Sequence, residues 1–462
     1  MRIIIVGGGK VGAAIATQLA KEDHDIVLID KDRAVLKKLG EALDMMVIYG
    51  NGASLSVQRE ADVAHSDLLI AVGPLDELNM MCCLIARKLG CKNTIARVRD
   101  PEYVEQIYFL QDELGLNMTI NPEWAAAGEI FRLTQIPAFL KRESFAKGRA
   151  EIVEIEIVKG GILDGIRLSE LPAAVKVKVL VCAVRRDGEV HIPSGSFTLQ
   201  AGDKIHVTSA ATELIELVRG IGLRQHRTKS VLVVGGGKIA QYLCQMLVKS
   251  GTRVKIIEKS RERSMQLAEL LPRVTVINAD GSSQPVLLSE GVEQMDTVVT
   301  LTDIDEENII ISMYSNYIGV PQVITKINRT EYNEVLQTKG IDRVISPKLL
   351  CANSIISYVR AMQHASGGAV LAVHMLADGH VEALEFEVSA SARHVGERLM
   401  DLPLKNNLLI VCINRRGKVI IPGGSDTIEH GDTVVVVSSG DEVLWDLNNI
   451  FLEEIVELPD EL

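Results

Sequence analysis

Gly7-Gly8-Gly9-Lys10-Val11-Gly12 fits the pattern G-x-G-x-x-G, and Asp30 stands twenty-three residues after Gly7, at the end of the apolar run Ile26-Val27-Leu28-Ile29. Each residue type in that pattern has a task in holding a pyrophosphate. Gly7 lets the chain turn sharply, Gly9 offers no Cβ to a phosphate approaching the backbone, and Gly12 lets the next helix pack closely on its strand. The first turn of that helix presents free N–H groups and the positive end of its dipole. Asp30 can accept hydrogen bonds from both ribose hydroxyls and disfavours a 2′-phosphate, so the chemistry is that of NAD(H) or adenosine nucleotides rather than NADP(H). A second constellation reads Gly235-Gly236-Gly237-Lys238-Ile239-Ala240, with Glu258 twenty-three residues after Gly235. The fingerprint accepts alanine at the third glycine. Lys259, Arg261 and Arg263 follow Glu258 and suit either a phosphate or a solvated helix start.

A strand, a turn and a helix are needed to hold each motif. Residues 2–6 carry an unbroken β-branched run, as a strand buried on both faces of a parallel sheet requires. Val11, Ala14, Ile15 and Leu19 then recur at helical spacing, and further strands are expected at 26–30, 45–49, 68–72 and 94–98. Strands alternating with helices make a doubly wound α/β sheet, which takes its ligand at the carboxyl ends of its strands. That rule adds Asn51, Gly52, Gly73 and Arg97 in the first half, and Asp280, Gly281, Leu301, Thr302 and Lys326 in the second. Arg97 and Lys326 are basic residues in matching strands, suited to an ion pair with a strand neighbour or to sensing phosphates. Glu77 and Glu306 open the helix after the fourth strand, where an acidic residue favours the dipole or contacts a nucleotide or metal.

The whole chain is a duplication. The glycine turns repeat at an offset of 228 residues; Asp76-Glu77-Leu78-Asn79 returns as Asp305-Glu306-Glu307-Asn308, and Gly202-Asp203 as Gly431-Asp432, at 229. Each unit has two parts. The second, near 151–158, 177–184, 189–192 and 203–208, alternates as a small α+β domain does. The expected domains are 1–140, 141–228, 229–365 and 366–462. Composition shifts mark the joints: a basic stretch at 141–149, a polar linker at 224–229, and Ala365-Ser366-Gly367-Gly368. The acidic end of the chain is expected to fray.

Composition narrows the function. Of 462 residues, 49 are Lys or Arg against 61 Asp or Glu, a net charge of −12 that disfavours nucleic acid and anionic lipid as partners. No apolar run approaches the roughly 18–20 residues that span a bilayer, and the N-terminus carries no signal peptide, so a soluble intracellular chain without direct lipid insertion is expected. The seven cysteines form no C-x-x-C and no zinc-type cluster, so no metal site is expected. No histidine recurs at matching places in the two repeats, no Tyr-x-x-x-Lys is present, and no nucleophile signature occurs. Nucleotide binding in duplicate without reaction machinery points to sensing rather than catalysis, with no catalytic residues. The alternatives are an NAD-dependent oxidoreductase and a regulator of another cation channel or antiporter.

With these motifs and the order A-B-A′-B′, the chain resembles the RCK family (regulators of potassium conductance). The resemblance spans nearly the whole chain and includes Gly-x-x-Leu-x-x-Leu-Pro at 165–172 and 396–403. It implies two tandem Rossmann-like RCK N-type domains, each followed by a small α+β RCK C-type domain. It implies a peripheral, homo-oligomeric ring, expected to be a tetramer, at the cytoplasmic face of the inner membrane. Such a ring gates a potassium-translocating membrane subunit according to bound NAD(H) or ATP/ADP. Carried onto this sequence, the contacts are Gly7, Gly8, Gly9, Lys10, Val11, Asp30, Gly73, Pro74 and Arg97, then Gly235, Gly236, Gly237, Lys238, Ile239 and Glu258.

Overall fold

A computed structural model describes residues 1–452 apart from 21, 23, 44, 176, 223–227, 330–335, 337–339, 364–369, 378–379, 440–443 and 445. The joints at 224–227 and 365–368 and the acidic end at 453–462 lie outside the described residues. The described chain divides into two units, residues 1–135 with 228–356, and residues 136–227 with 357–462.

In the first unit, β1 (Arg2–Val6), β2 (Asp25–Asp30), β3 (Met46–Tyr49), β4 (Leu68–Ala71), β5 (Asn93–Arg97) and β6 (Met118–Ile120) make a parallel sheet in the order β3-β2-β1-β4-β5-β6. Ile3, Ile4 and Ile5 are fully buried, so the β-branched run is covered on both faces. The helices are α1 (Lys10–Ala20), α2 (Arg33–Ala42), α3 (Leu55–Glu60), α4 (Asp76–Leu89), α5 (Pro101–Leu114) and α6 (Pro122–Gln135). The order reverses at β1, which has β2 on one side and β4 on the other, and this opens a crevice beyond their carboxyl ends.

The second unit holds two antiparallel sheets. The first is β7 (Lys141–Phe145), β8 (Ala150–Glu156), β9 (Leu180–Arg186), β10 (Glu189–His191) and β11 (Lys204–Ala210), in the order β10-β9-β11-β8-β7, with α7 (Leu171–Ala174) and α8 (Leu214–Gly220). The basic stretch at 141–149 is thus no simple joint. Its first five residues are an edge strand, with Arg142 bonded by two nitrogens to Glu151 on β8, each at 2.8 Å. Charge on an edge strand discourages pairing with other chains.

The first unit's second sheet repeats its first: β12 (Ser230–Val234), β13 (Arg253–Glu258), β14 (Thr275–Asn278), β15 (Thr297–Thr300), β16 (Gln322–Lys326) and β17 (Val344–Ile345), in the order β14-β13-β12-β15-β16-β17. Its helices include α9 (Lys238–Lys249), α10 (Arg261–Leu270), α11 (Gln284–Ser289) and α12 (Asp305–Tyr317). In the second unit, β18 (Val370–Leu376), β19 (Val381–Glu387), β20 (Leu408–Arg415), β21 (Lys418–Ile420) and β22 (Thr433–Ser438) repeat the antiparallel sheet as β18-β19-β22-β20-β21. The two antiparallel sheets share a core, with Ile152, Cys182 and Ala183 of one against Ala383, Val411 and Val437 of the other.

The halves of the first unit are joined by α6 of the first half, which packs on the second. Ala126, Ala127, Ile130 and Leu133 of α6 pack against Ala240, Leu243 and Leu247 of α9 and against Val231 and Val233 of β12. Polar contacts seal the joint: Gln322 Nε2 donates to the Leu133 carbonyl at 3.0 Å, and Trp124 meets Tyr242 edge-on at 5.2 Å between ring centres. Ile130→Ala should therefore lower stability by about 2–5 kcal/mol, because it leaves a cavity between the halves. Ile310→Ala on α12, where the side chain is 64% exposed, should change stability by less than about 0.5 kcal/mol. Urea unfolding of both variants checks the contrast, and equal losses would contradict the packing of α6 across the halves.

Candidate functional site

The crevice at the reversal of strand order is built first from backbone. Gly7 has φ +101°, and a Cβ there would fall 2.9 Å from the Gly73 amide nitrogen, so the loops after β1 and β4 come this close only because Gly7 lacks one. Gly9 has open space on its Cβ side, the cradle a phosphate needs. A Cβ on Gly12 would lie 1.9 Å from the Gly7 carbonyl oxygen. Lys10 is exposed, whereas Val11 is buried and offers the site only its backbone. The second turn repeats this with Gly235 at φ +102° and Gly237 open, but accommodates Ala240, which is fully buried, in place of Gly12. Ile239, like Val11, is buried.

The carboxylate at the end of the second strand is tied to the turn. Gly8 N–H donates to Asp30 Oδ2 at 2.5 Å, and Asp32 N–H to Oδ1 at 2.8 Å. Glu258 makes the same pair of bonds, from Gly236 N–H at 2.7 Å and Ser260 N–H at 2.7 Å. The extra methylene leaves the pattern of acceptance unchanged. A carboxylate offers about four lone-pair sites, so one amide on each oxygen leaves one site per oxygen for two ribose hydroxyls.

Around this centre the remaining candidates take distinct places. A Cβ on Gly52 would lie 2.2 Å from Val6 Cγ1, and one on Gly281 2.3 Å from Val234 Cγ1, so these glycines let the loop after the third strand close over the first. Asn51 Oδ1 accepts the Ala53 amide at 3.3 Å. Asp280 pairs with Lys259 at 2.7 Å and accepts from Ser282, bonds that lower its pKa. Lys259 is thereby committed at the edge of the second crevice. Arg263 donates Nε to the Gly236 carbonyl at 2.8 Å and so braces the second turn from α10.

Arg97 Nη2 donates to the Gly73 carbonyl at 2.9 Å, and burial, aided by nearby Arg99, lowers its pKa. Its Nε is buried without a hydrogen-bond partner among the described residues. Lys326 instead pairs with Asp303 at 3.5 Å. The Pro74 carbonyl accepts from Arg99. Glu77 Oε1 accepts from Tyr103 at 2.7 Å, which lowers its pKa, and Glu306 pairs with Arg329 at 3.0 Å.

Two buried residues beside Glu77 organise the crevice. Asn79 Nδ2 bonds the carbonyls of Gly73 and Arg97, as Asn308 bonds those of Thr302 and Lys326. Asp76 accepts the amides of Arg99 and Asp100, each at 2.8 Å, and Asp305 those of Asn328 and Arg329. Their repetition in sequence was visible, but apart from the nearby carbonyls of Gly73 and Thr302 their partners lie some twenty residues away, beyond any local pattern.

The cysteines are all buried, and burial pushes Cys82, Cys182, Cys351 and Cys412 up to about 12, far from a reactive thiolate. Among the described residues no group of three His, Cys, Asp or Glu could hold a metal ion, and no helix is long and apolar enough to cross a membrane.

Residues 3–122 and 231–347 match the TrkA-N domain family, and residues 152–222 and 383–444 the TrkA-C domain family. The chain is 33% identical over 443 residues to the Trk system potassium uptake protein TrkA homolog of Archaeoglobus fulgidus, covering 96% of this chain and 98% of that one. It is 32% identical over 459 residues to the Trk system potassium uptake protein TrkA of Haemophilus influenzae, covering 98% of each. Among solved structures, the GsuK channel bound to NAD matches with a TM-score of 0.63 and 17% identity, over 95% of this chain and 76% of that one, a likeness of fold.

The two turns differ most sharply at the third glycine. Gly12→Ala should strain the first turn and lower the melting temperature by several degrees, since overpacking typically costs about 1–3 kcal/mol. Ala240→Gly should cost about 1 kcal/mol or less, the propensity difference inside a helix. Thermal unfolding of both variants is the check, and a neutral Gly12→Ala would show that the first turn relaxes as the second does.

Proposed function

Because the chain belongs to the TrkA family of Trk potassium-uptake proteins, built from paired TrkA-N and TrkA-C domains, we propose that it is a nucleotide-sensing regulatory subunit. In this reading it sits at the cytoplasmic face of the inner membrane as a homo-tetramer. It gates a membrane potassium-translocating subunit of the TrkH/TrkG kind and catalyses no reaction itself. The observation that carries the reading is the doubled carboxylate-held turn, Asp30 on Gly8 and Glu258 on Gly236. Each turn offers an open glycine for phosphate and free acceptor sites for a ribose. NAD(H) and ATP/ADP share the ribose and first phosphates, so either class fits the same residues. The NAD of the GsuK channel supports this choice of ligand.

Gating follows from linkage. A ligand shifts a two-state assembly only by its differential affinity for the two states, and the partner bound to one state feels the same coupling in return. With a net charge of −12, attachment to the membrane runs through the protein partner rather than anionic lipid.

Asp30→Ala removes charge-assisted hydrogen bonds worth about 1.5–3 kcal/mol, so nucleotide binding in the first half should weaken roughly ten- to hundredfold. Calorimetry with NADH and with ATP on the full chain, in a Glu258→Ala background that disables the second half, measures it. Unchanged affinity would overturn the role of Asp30, and steady NADH oxidation by the pure protein would overturn the regulatory reading.

A further inference from the structure

One charged contact joins the second glycine turn to the opposite half. Lys238, the first residue of α9, points its ammonium at Asp100 of the first half, Nζ to Oδ2 at 3.0 Å. Asp100 is not a loose surface residue. Its amide is held by Asp76, its Oδ1 accepts the Glu102 amide at 3.1 Å, and the neighbouring Arg99 carbonyl accepts from Tyr242 on α9 at 3.0 Å. Burial works against the charge on Asp100, but the bond from Lys238, the Glu102 amide and the charges of Lys238 and Arg99 together outweigh it and keep the carboxyl below the usual carboxylate range. A cleft of about 630 Å³ opens here, lined by Asp100 and Glu102 on one side and by Gly237, Lys238, Gln241 and Arg263 on the other.

The contact is one-sided. The place of Asp100 in the second half belongs to Arg329, whose amide Asp305 holds as Asp76 holds that of Asp100, and whose side chain pairs with Glu306. At this place the sign of the charge is reversed between the two loops, with Arg99 before Asp100 answered by the neutral Asn328 before Arg329. An anion reaching the second turn therefore finds its lysine already neutralised, with Asp100 and Glu102 close by as like charges.

We propose that Asp100 of the first half sets the anion affinity of the second glycine turn by holding Lys238, so that a nucleotide phosphate bound there takes Lys238 from Asp100 and loosens the junction between the halves. The proposal rests on the nucleotide reading of the second half. By reciprocity, whatever breaks the pair tightens the second site, and occupancy of the second site frees the loop at 98–102.

The test uses the full chain and ADP as probe, with hydrogen exchange read by mass spectrometry at peptides covering 7–12, 235–240 and 98–102. Asp100→Asn keeps an acceptor for the Glu102 amide and removes the charge. It should lower the ADP midpoint for protection at 235–240 about two- to tenfold, the scale of a partly exposed ion pair with relief of repulsion. The midpoint at 7–12 should not move, and the shift should vanish in a Lys238→Gln background. In the unmutated chain, ADP should raise exchange at 98–102. If ADP protects 235–240 equally in the unmutated chain and in Asp100→Asn, the proposal is overturned and the nucleotide reading stands. If ADP protects 7–12 alone, the second half is no nucleotide site and the proposal falls with that part of the reading; protection of neither peptide overturns both.

Discussion

In each half a carboxylate at the end of the second strand accepts the amide of the second glycine, and the site is arranged around that bond. A run of three glycines has no side chains to hold its shape and loses more conformational freedom on folding than any other sequence of its length. The carboxylate supplies the missing restraint. Its remaining lone pairs are also the natural acceptors for a ribose, so in the proposed reading turn and nucleotide share one group. The other polar residues serve the same geometry at one remove: Asn79 and Arg97 fix the Gly73 loop, and Arg263 braces the Gly236 carbonyl.

The helix that leaves the second turn carries the other half on its flank. Tyr242 of α9 meets Trp124 and the Arg99 carbonyl, and Leu243 and Leu247 lie in one core with Ile130 and Leu133 of α6. Packed cores respond to a shift by moving as bodies rather than by yielding locally. A ligand that repositions α9 by a fraction of an ångström is therefore felt across the junction, and sensing requires this more than any reactive group.

The parts of this arrangement that rest on local chemistry were legible in the sequence. The glycine turns, Asp30, Glu258 and the α/β alternation each declare themselves within a few residues, and the duplication doubles the signal. Other parts depend on distant partners. β6, at three residues, is too short to show a period. The polar run beginning at Lys141 resembles a joint until Arg142 is seen across from Glu151. Gly52 looks like a ligand contact, yet the close approach of Val6 demands a glycine there regardless. Asp76 and Asn79 were visible only as a repeat, because the Arg97 carbonyl and the Arg99 and Asp100 amides they hold come from the end of β5 and the loop after it. The apolar face of α6 could be read, but its seat on α9 is a tertiary fact.

Potassium flux measures the central claim most directly. Rubidium uptake into proteoliposomes containing the membrane subunit would be followed with and without this protein, at saturating NADH, ATP or ADP. Uptake should depend on nucleotide only when the protein is present, and the dependence should disappear when Asp30 and Glu258 are both replaced by alanine, although the protein still binds the vesicles. Flux that is the same with and without nucleotide, or nucleotide dependence that survives the double replacement, would contradict gating through the two carboxylate-held turns.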